Sequence, residues 1–160
     1  MILSRSGADK KLRRMALQVA ERNYASEGLI LIGIKENGIF IALKIASYLK
    51  ENFKGSIKVL SLSLDKKNPS EISISEEMDF HDTTILLIDD VANSGKTMLY
   101  ALKPLLKYHP RQIQTLALVE RTYKKFPIAV DYVGLSISST RQENIIVEVT
   151  DGEVMGARIG

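Results

Sequence analysis

Three short apolar runs, "GLILIGI" (28–34), "TILLI" (84–88) and "IQTLALVE" (113–120), constrain this chain more than any other feature. Each is too short for a buried helix and, lacking clean alternation, reads as a strand covered on both faces. Between them lie "GIFIALKIASYLKENF" (38–53) and "GKTMLYALKPLLKY" (95–108), which have helical length and spacing. Parallel neighbours need a crossover, so strand, loop and helix in this order predict an α/β fold. The sheet is mostly parallel with helices on both faces, and ligands bind where loops leave the strands' carboxyl ends.

The remaining segments fit around that core. Leu12, Met15, Ala16, Val19 and Ala20 recur at spacings of three and four, predicting a helix over 8–24 with Asp9 near its start and a basic opposite face. "SIKVLSLSL" (56–64) alternates like a strand. Pro104 predicts a kink or a late start in the third helix. Residues 65–83, with Asn68-Pro69 and a brief alternation in "EISIS", read as a mobile excursion or hairpin. "AVDYVG" (129–134) and "NIIVEV" (144–149) read as shorter strands that cap or edge the sheet.

Length and composition then exclude several classes. The 160 residues fit a single domain over 1–160. With no cysteine and only His81 and His109, disulfides, thiolate metal sites and His-rich zinc sites are excluded, so a metal here takes oxygen ligands. The apolar stretches fall short of the ~20 residues that span a bilayer. The start of the chain turns basic at Arg5, Lys10, Lys11, Arg13 and Arg14 without a signal-peptide pattern, so a cytoplasmic protein is expected. A net charge of +3 suits anionic ligands without pointing to nucleic acid by itself.

Chemistry concentrates in "ILLIDDVANSGKTM" (85–98). A nucleoside triphosphate loop of the form G-x-x-x-x-G-K-[ST] fits its end but fails at its first glycine, where Asp90 stands and would repel phosphate. A ligand with two different ends resolves the conflict. Asp89 and Asp90 accept hydrogen bonds from neutral hydroxyls, while Ser94, Gly95, Lys96 and Thr97 offer N–H groups, hydroxyls and a helix start to a phosphate. A sugar phosphate has both ends.

This segment resembles the signature of the type I phosphoribosyltransferases: an apolar strand, two acids, a short variable stretch, then Ser/Thr-Gly-x-Thr. The resemblance implies the fold of that family, with a flexible flap and a small hood. It implies that Asp89 and Asp90 bind the ribose hydroxyls of 5-phosphoribosyl-1-pyrophosphate (PRPP), touching Mg²⁺ only indirectly through water or ribose. Ala92, Asn93, Ser94, Gly95, Lys96 and Thr97 would wrap the 5-phosphate. "KENG", comprising Lys35, Glu36, Asn37 and Gly38, resembles the pyrophosphate loop; Lys35 would hold the leaving group. Lys66 and Lys67 sit in the flap position and are candidates for reaching the pyrophosphate. Arg121, after "LALVE", would face the base and the PRPP.

Across most of the chain the likeness is to the PyrR group, which joins uracil phosphoribosyltransferase activity to RNA-based control of pyrimidine genes. "ERN", "LIGIKENGIFIA", "LALVERTYKKFPIAVDYVG" and "STRQENIIVEV" carry it. The expected reaction is transfer of phosphoribose from PRPP to a nucleobase, uracil first, with Mg²⁺ as cofactor. The resemblance also implies a homo-oligomer, dimer or tetramer. Purine-type members carry an Asp just before the Ser/Thr-Gly; Asn93 stands there and takes no proton at neutral pH, which leans the base away from purines. Two alternatives stand beside this: a purine phosphoribosyltransferase, and a nucleotide sensor binding RNA through the basic face of the first helix (Lys10, Lys11, Arg13, Arg14, Gln18, Arg22). Leu17 and Tyr123 replace histidines of the PyrR pattern, which weighs against RNA. Arg141, Lys124 and Lys125 are candidates for a basic rim.

Overall fold

The computed structural model describes residues 1–65, 67–69, 71–138 and 143–160. In chain order the elements are α1 (Arg5–Arg22), β1 (Gly28–Ile34), α2 (Gly38–Leu49), β2 (Ser56–Leu64), β3 (Ile72–Ile74), β4 (Thr84–Ala92), α3 (Lys96–Ala101), α4 (Lys103–Leu106), β5 (Gln112–Arg121), β6 (Tyr132–Ile137), β7 (Ile145–Thr150) and β8 (Glu153–Ile159). Six strands form one sheet in the order β3-β2-β1-β4-β5-β6, and β7 with β8 form a separate hairpin. Every pairing in the large sheet is parallel except β2 with β3.

Apolar side chains divide between the two sides of the sheet. Leu31, Leu86, Ile88 and Leu118 pack with α1, α2 and the β7–β8 hairpin. Ile32, Ile85, Leu87 and Ala117 pack with α3, α4 and Phe80. The central strands are thus covered on both faces, as their unbroken apolar character requires.

α1 begins at Arg5, earlier than its apolar spacing predicts, because the Ser4 hydroxyl accepts the Gly7 N–H at 3.0 Å and caps the first turn. It ends at Asn23, whose buried amide joins a closed polar network. Asn23 Nδ2 donates to Val19 O at 2.8 Å and Gln114 Oε1 at 3.0 Å, Gln114 Nε2 donates back to Asn23 Oδ1 at 2.8 Å, and the Tyr132 hydroxyl donates to Gln114 Oε1 at 2.6 Å. Fully satisfied, this network fixes α1 against β5 and β6. Burial raises the Tyr132 phenol, keeping it a donor.

Other boundaries follow from local chemistry. The third helix breaks where Pro104 predicts, α3 ending at Ala101 and α4 starting at Lys103. The hairpin reading of 65–83 is met by β3, which pairs Ile74 with Leu62 and Ile72 with Leu64. The strand expected over 129–134 starts only at Tyr132. Upstream of it, Thr115 Oγ1 donates to Ala129 O at 2.7 Å and Thr115 N donates to Asp131 Oδ2 at 2.9 Å, so side-chain bonds replace a ladder there. β7 does not edge the large sheet but pairs with β8 through an Asp151-Gly152 turn, both residues at positive φ of 51° and 78°. Asp-Gly is the strongest short hairpin signal, and it marks a strand the apolar pattern alone does not predict.

The arginines on the basic face of α1 stay exposed but take partners on neighbouring elements. Arg14 donates to Val133 O at 2.6 Å, Arg22 lies 3.4 Å from Asp131 and over the Tyr132 ring, and Arg13 pairs with Asp9 at 3.1 Å while stacking on Tyr48. The Tyr48 hydroxyl also donates to Asp9. That bond first, then Arg13, holds the Asp9 carboxyl below the usual range. Among the described residues, no helix is long and apolar enough to cross a membrane.

Candidate active site

β1 and β4 are neighbours at the centre of the sheet, yet the chain leaves them for opposite faces: β1 for α2, β4 for α3. A crevice opens at the carboxyl ends of such a pair. Two glycines let α2 start close above it. A Cβ at Gly33 would lie 2.5 Å from Ile39 Cα, and one at Gly38 would lie 2.8 Å from Ile88 O and 3.2 Å from Asp89 Cα. The 35–38 loop is thereby brought against the strand end that carries the acids.

Asp89 is 1% exposed at that end, and its Oδ1 accepts the Asp90 N–H at 2.9 Å. Asp90 is half-buried; its Oδ1 accepts the Val91 N–H at 2.8 Å, leaving further lone pairs for hydroxyl donors.

The 93–95 turn is held from outside. Ser94 O accepts the N–H groups of both Lys125 and Phe126 at 3.0 Å, and Ser94 Oγ accepts the Lys96 N–H at 3.2 Å. Gly95 has φ +87°, and a Cβ there would lie 2.3 Å from Ile128 Cγ2. Both conformation and space require glycine. The turn forms an open pocket of about 90 Å³, lined by Asp89, Ala92, Asn93, Ser94, Lys96 and Thr97 among others.

The expected site residues part company in instructive ways. Lys35 and Glu36 are exposed; Lys35 is fixed through its N–H, which donates to Leu62 O at 2.8 Å. Asn37 turns away from the crevice and donates Nδ2 to Val147 O at 3.0 Å in the hairpin. No side chain therefore caps the first turn of α2; Asn37 O accepts the Phe40 N–H at 3.1 Å, and the Gly38 and Ile39 N–H groups are the donors at the helix start. Arg121 Nε donates to Asn93 Oδ1 at 3.1 Å, joining the strand after "LALVE" to the turn. Lys67 is exposed, its N–H donating to Asp65 Oδ1 at 2.9 Å; Lys66 and Arg141 lie outside the described residues.

Lys124 is a brace and no solvated rim. Its ammonium lies 3.1 Å from both Glu120 Oε2 and Arg121 O, with the paired side chains 13% and 14% exposed. Ile128 and Val147, which shape the turn and hold Asn37, carry no functional mark in the sequence, since their roles are steric and through backbone.

Residues 1–151 match the family model described as "Phosphoribosyl transferase domain". The chain is 32% identical to the "Bifunctional protein PyrR" of Pediococcus pentosaceus, covering 96% of each. It is also 32% identical to the protein of that name from Brevibacillus brevis, covering 97% of this chain and 92% of the relative. Among solved structures, the hypoxanthine phosphoribosyltransferase of Trypanosoma cruzi has a TM-score of 0.81 at 12% identity, covering 100% of this chain and 97% of that one. A hypoxanthine-guanine phosphoribosyltransferase from Bacillus anthracis has a TM-score of 0.72 at 17% identity, covering 91% and 85%. At such identities the structures speak for the fold alone. The chain belongs to the phosphoribosyl transferase domain family, with the type I phosphoribosyltransferase fold.

Proposed function

We propose that the protein transfers phosphoribose from PRPP to uracil, yielding UMP and pyrophosphate with Mg²⁺ as cofactor. The observation that carries this reading is the pairing of two unlike ends across one turn: one buried and one half-buried carboxylate near the end of β4, and a glycine-dependent N–H and hydroxyl cavity six residues on. Asp89 and Asp90 orient the ribose; Ala92 to Thr97 receive the 5-phosphate; Lys35 and the open first turn of α2 receive the pyrophosphate. Arg121 adds charge toward the leaving group. Positioning and charge stabilisation then supply the rate, with no covalent intermediate.

Among the described residues, no group of three or more His, Cys, Asp or Glu side chains forms a ready metal cage. The oxygen donors at the site, Asp89 and Asp90, suit a hard cation such as Mg²⁺, which keeps several waters and takes substrate phosphates as ligands. When bound it would neutralise charge on the pyrophosphate. Asp89 and Asp90 would meet it through water or ribose.

Support for uracil comes from the PyrR relatives and from Asn93, whose carbonyl accepts from Arg121 and which carries no basic atom to take a proton from a purine. The RNA-sensing alternative is weakened because Arg13, Arg14 and Arg22 of the basic face are engaged in packing α1. The deciding experiment gives the purified protein PRPP, Mg²⁺ and, in turn, uracil, hypoxanthine, guanine, xanthine and orotate. UMP formation is expected. Product from a purine alone overturns the uracil assignment, and no product with any base overturns the enzyme.

A further inference from the structure

An asparagine just before a helix ordinarily caps it, its side-chain oxygen accepting an N–H of the first turn. Asn37 makes no such bond. Its amide reaches instead across the fold to Val147 O in β7, 110 positions away in sequence. Further along α2, at spacings of three and four, Phe40 lies under Gly152 of the hairpin turn and Lys44 pairs with Glu153 Oε2 at 3.0 Å. Positions three and four apart share one helix face. The hairpin thus rests on one stripe of α2, and the first of these three contacts, Asn37, lies in the 35–38 loop.

We propose that Asn37 is a positioning residue of the pyrophosphate subsite. It does not bind the leaving group. By donating to Val147 O it keeps its side chain off the Gly38 and Ile39 N–H groups, which face an anion, and fixes the angle at which Lys35 and the helix end meet it. The β7–β8 hairpin is thereby the rigid anchor of the pyrophosphate loop. This rests on the phosphoribosyltransferase reading of the site. A half-buried bond from a neutral donor is modest in stability, but small displacements at a binding loop are costly to function.

Calorimetric titrations with Mg²⁺–pyrophosphate and, separately, with ribose 5-phosphate test this on the full chain. Ribose 5-phosphate reports the Asp89 to Thr97 segment independently of the base. Asn37→Ala is expected to weaken pyrophosphate binding about tenfold or more while changing ribose 5-phosphate affinity less than about twofold. Asn37→Leu keeps the volume without the donor and should behave alike, so a folding failure of one variant leaves the other. Lys44→Ala removes only a surface ion pair at the hairpin's turn and leaves the Asn37–Val147 bond in place, so it should leave both affinities within about twofold. Wild-type pyrophosphate affinity in both Asn37 variants overturns the proposal, as does an equal loss in Lys44→Ala. If the wild type binds neither ligand, the phosphoribosyltransferase reading fails and takes this one with it; binding of both with no Asn37 effect sinks this proposal alone.

Discussion

Arg121 donates its Nε to Asn93 Oδ1 at 3.1 Å, so the last residue of β5 orients a side chain of the 93–95 turn. A guanidinium only donates, so the amide oxygen must face it and the Asn93 NH₂ points elsewhere. Asn93→Asp keeps an acceptor for Arg121 and adds a carboxylate able to accept a proton. The ratio of kcat/KM for hypoxanthine over uracil should rise, by about tenfold or more. An unchanged ratio in steady-state assays would remove Asn93 from base choice.

Asp90 and Asp89 should respond differently to loss. Asp90→Ala removes a hydroxyl acceptor at a half-buried position, and PRPP affinity should fall by about tenfold to a hundredfold with little change in Tm. Asp89→Ala also strips the acceptor from the Asp90 N–H inside the protein, adding a stability loss of about 1–3 kcal/mol. Thermal melts beside PRPP titrations separate the two.

Gly95→Ala forces a Cβ at φ +87° to within 2.3 Å of Ile128 Cγ2. The variant should lose about 1–3 kcal/mol of stability and most of its ribose 5-phosphate binding. Adding Ile128→Ala clears the space but not the dihedral, so it should restore only part of both, as denaturant titration would show.

The Tyr48 hydroxyl and Arg13 hold the Asp9 carboxyl below its ordinary value. A depressed folded-state value means the stabilisation is present above the unfolded value and is lost as pH falls through the folded one. The window lies below about pH 4. Tyr48→Phe removes the larger cause, so its Tm deficit against wild type should be present at pH 7 and shrink toward pH 2. A deficit constant with pH would assign the effect to packing; Asp9 is partly exposed, which keeps the size small.

The central strands were legible because burial on both faces leaves an unbroken apolar run, and the turn after β4 was legible because Ser94-Gly95 follows that run closely. The direction of Asn37 was not legible, since an asparagine before a helix reads as a cap and its partner is a backbone carbonyl far along the chain. Lys124 reads as a solvated charge beside Lys125, and only the fold brings Glu120 and the Arg121 carbonyl to it. The exposed arginines of α1 read as a solvent face, and only the fold supplies the β6 carbonyls that Arg14 meets. β8 was not legible in its apolar pattern, whose alternation is weak; Asp151-Gly152 is the signal that could have marked it.

The grip of Lys125 and Phe126 on Ser94 O has a consequence for the order in which the protein is made. A chain emerging from the ribosome has its acids and phosphate turn complete at Thr97, but not the segment that clamps them. Until residue 126 and Ile128 are free to dock, the turn lacks its outer wall and is held only by its own bonds, such as Lys96 N–H to Ser94 Oγ. The turn therefore reaches its final form late in synthesis, after β5, although its own residues are made earlier.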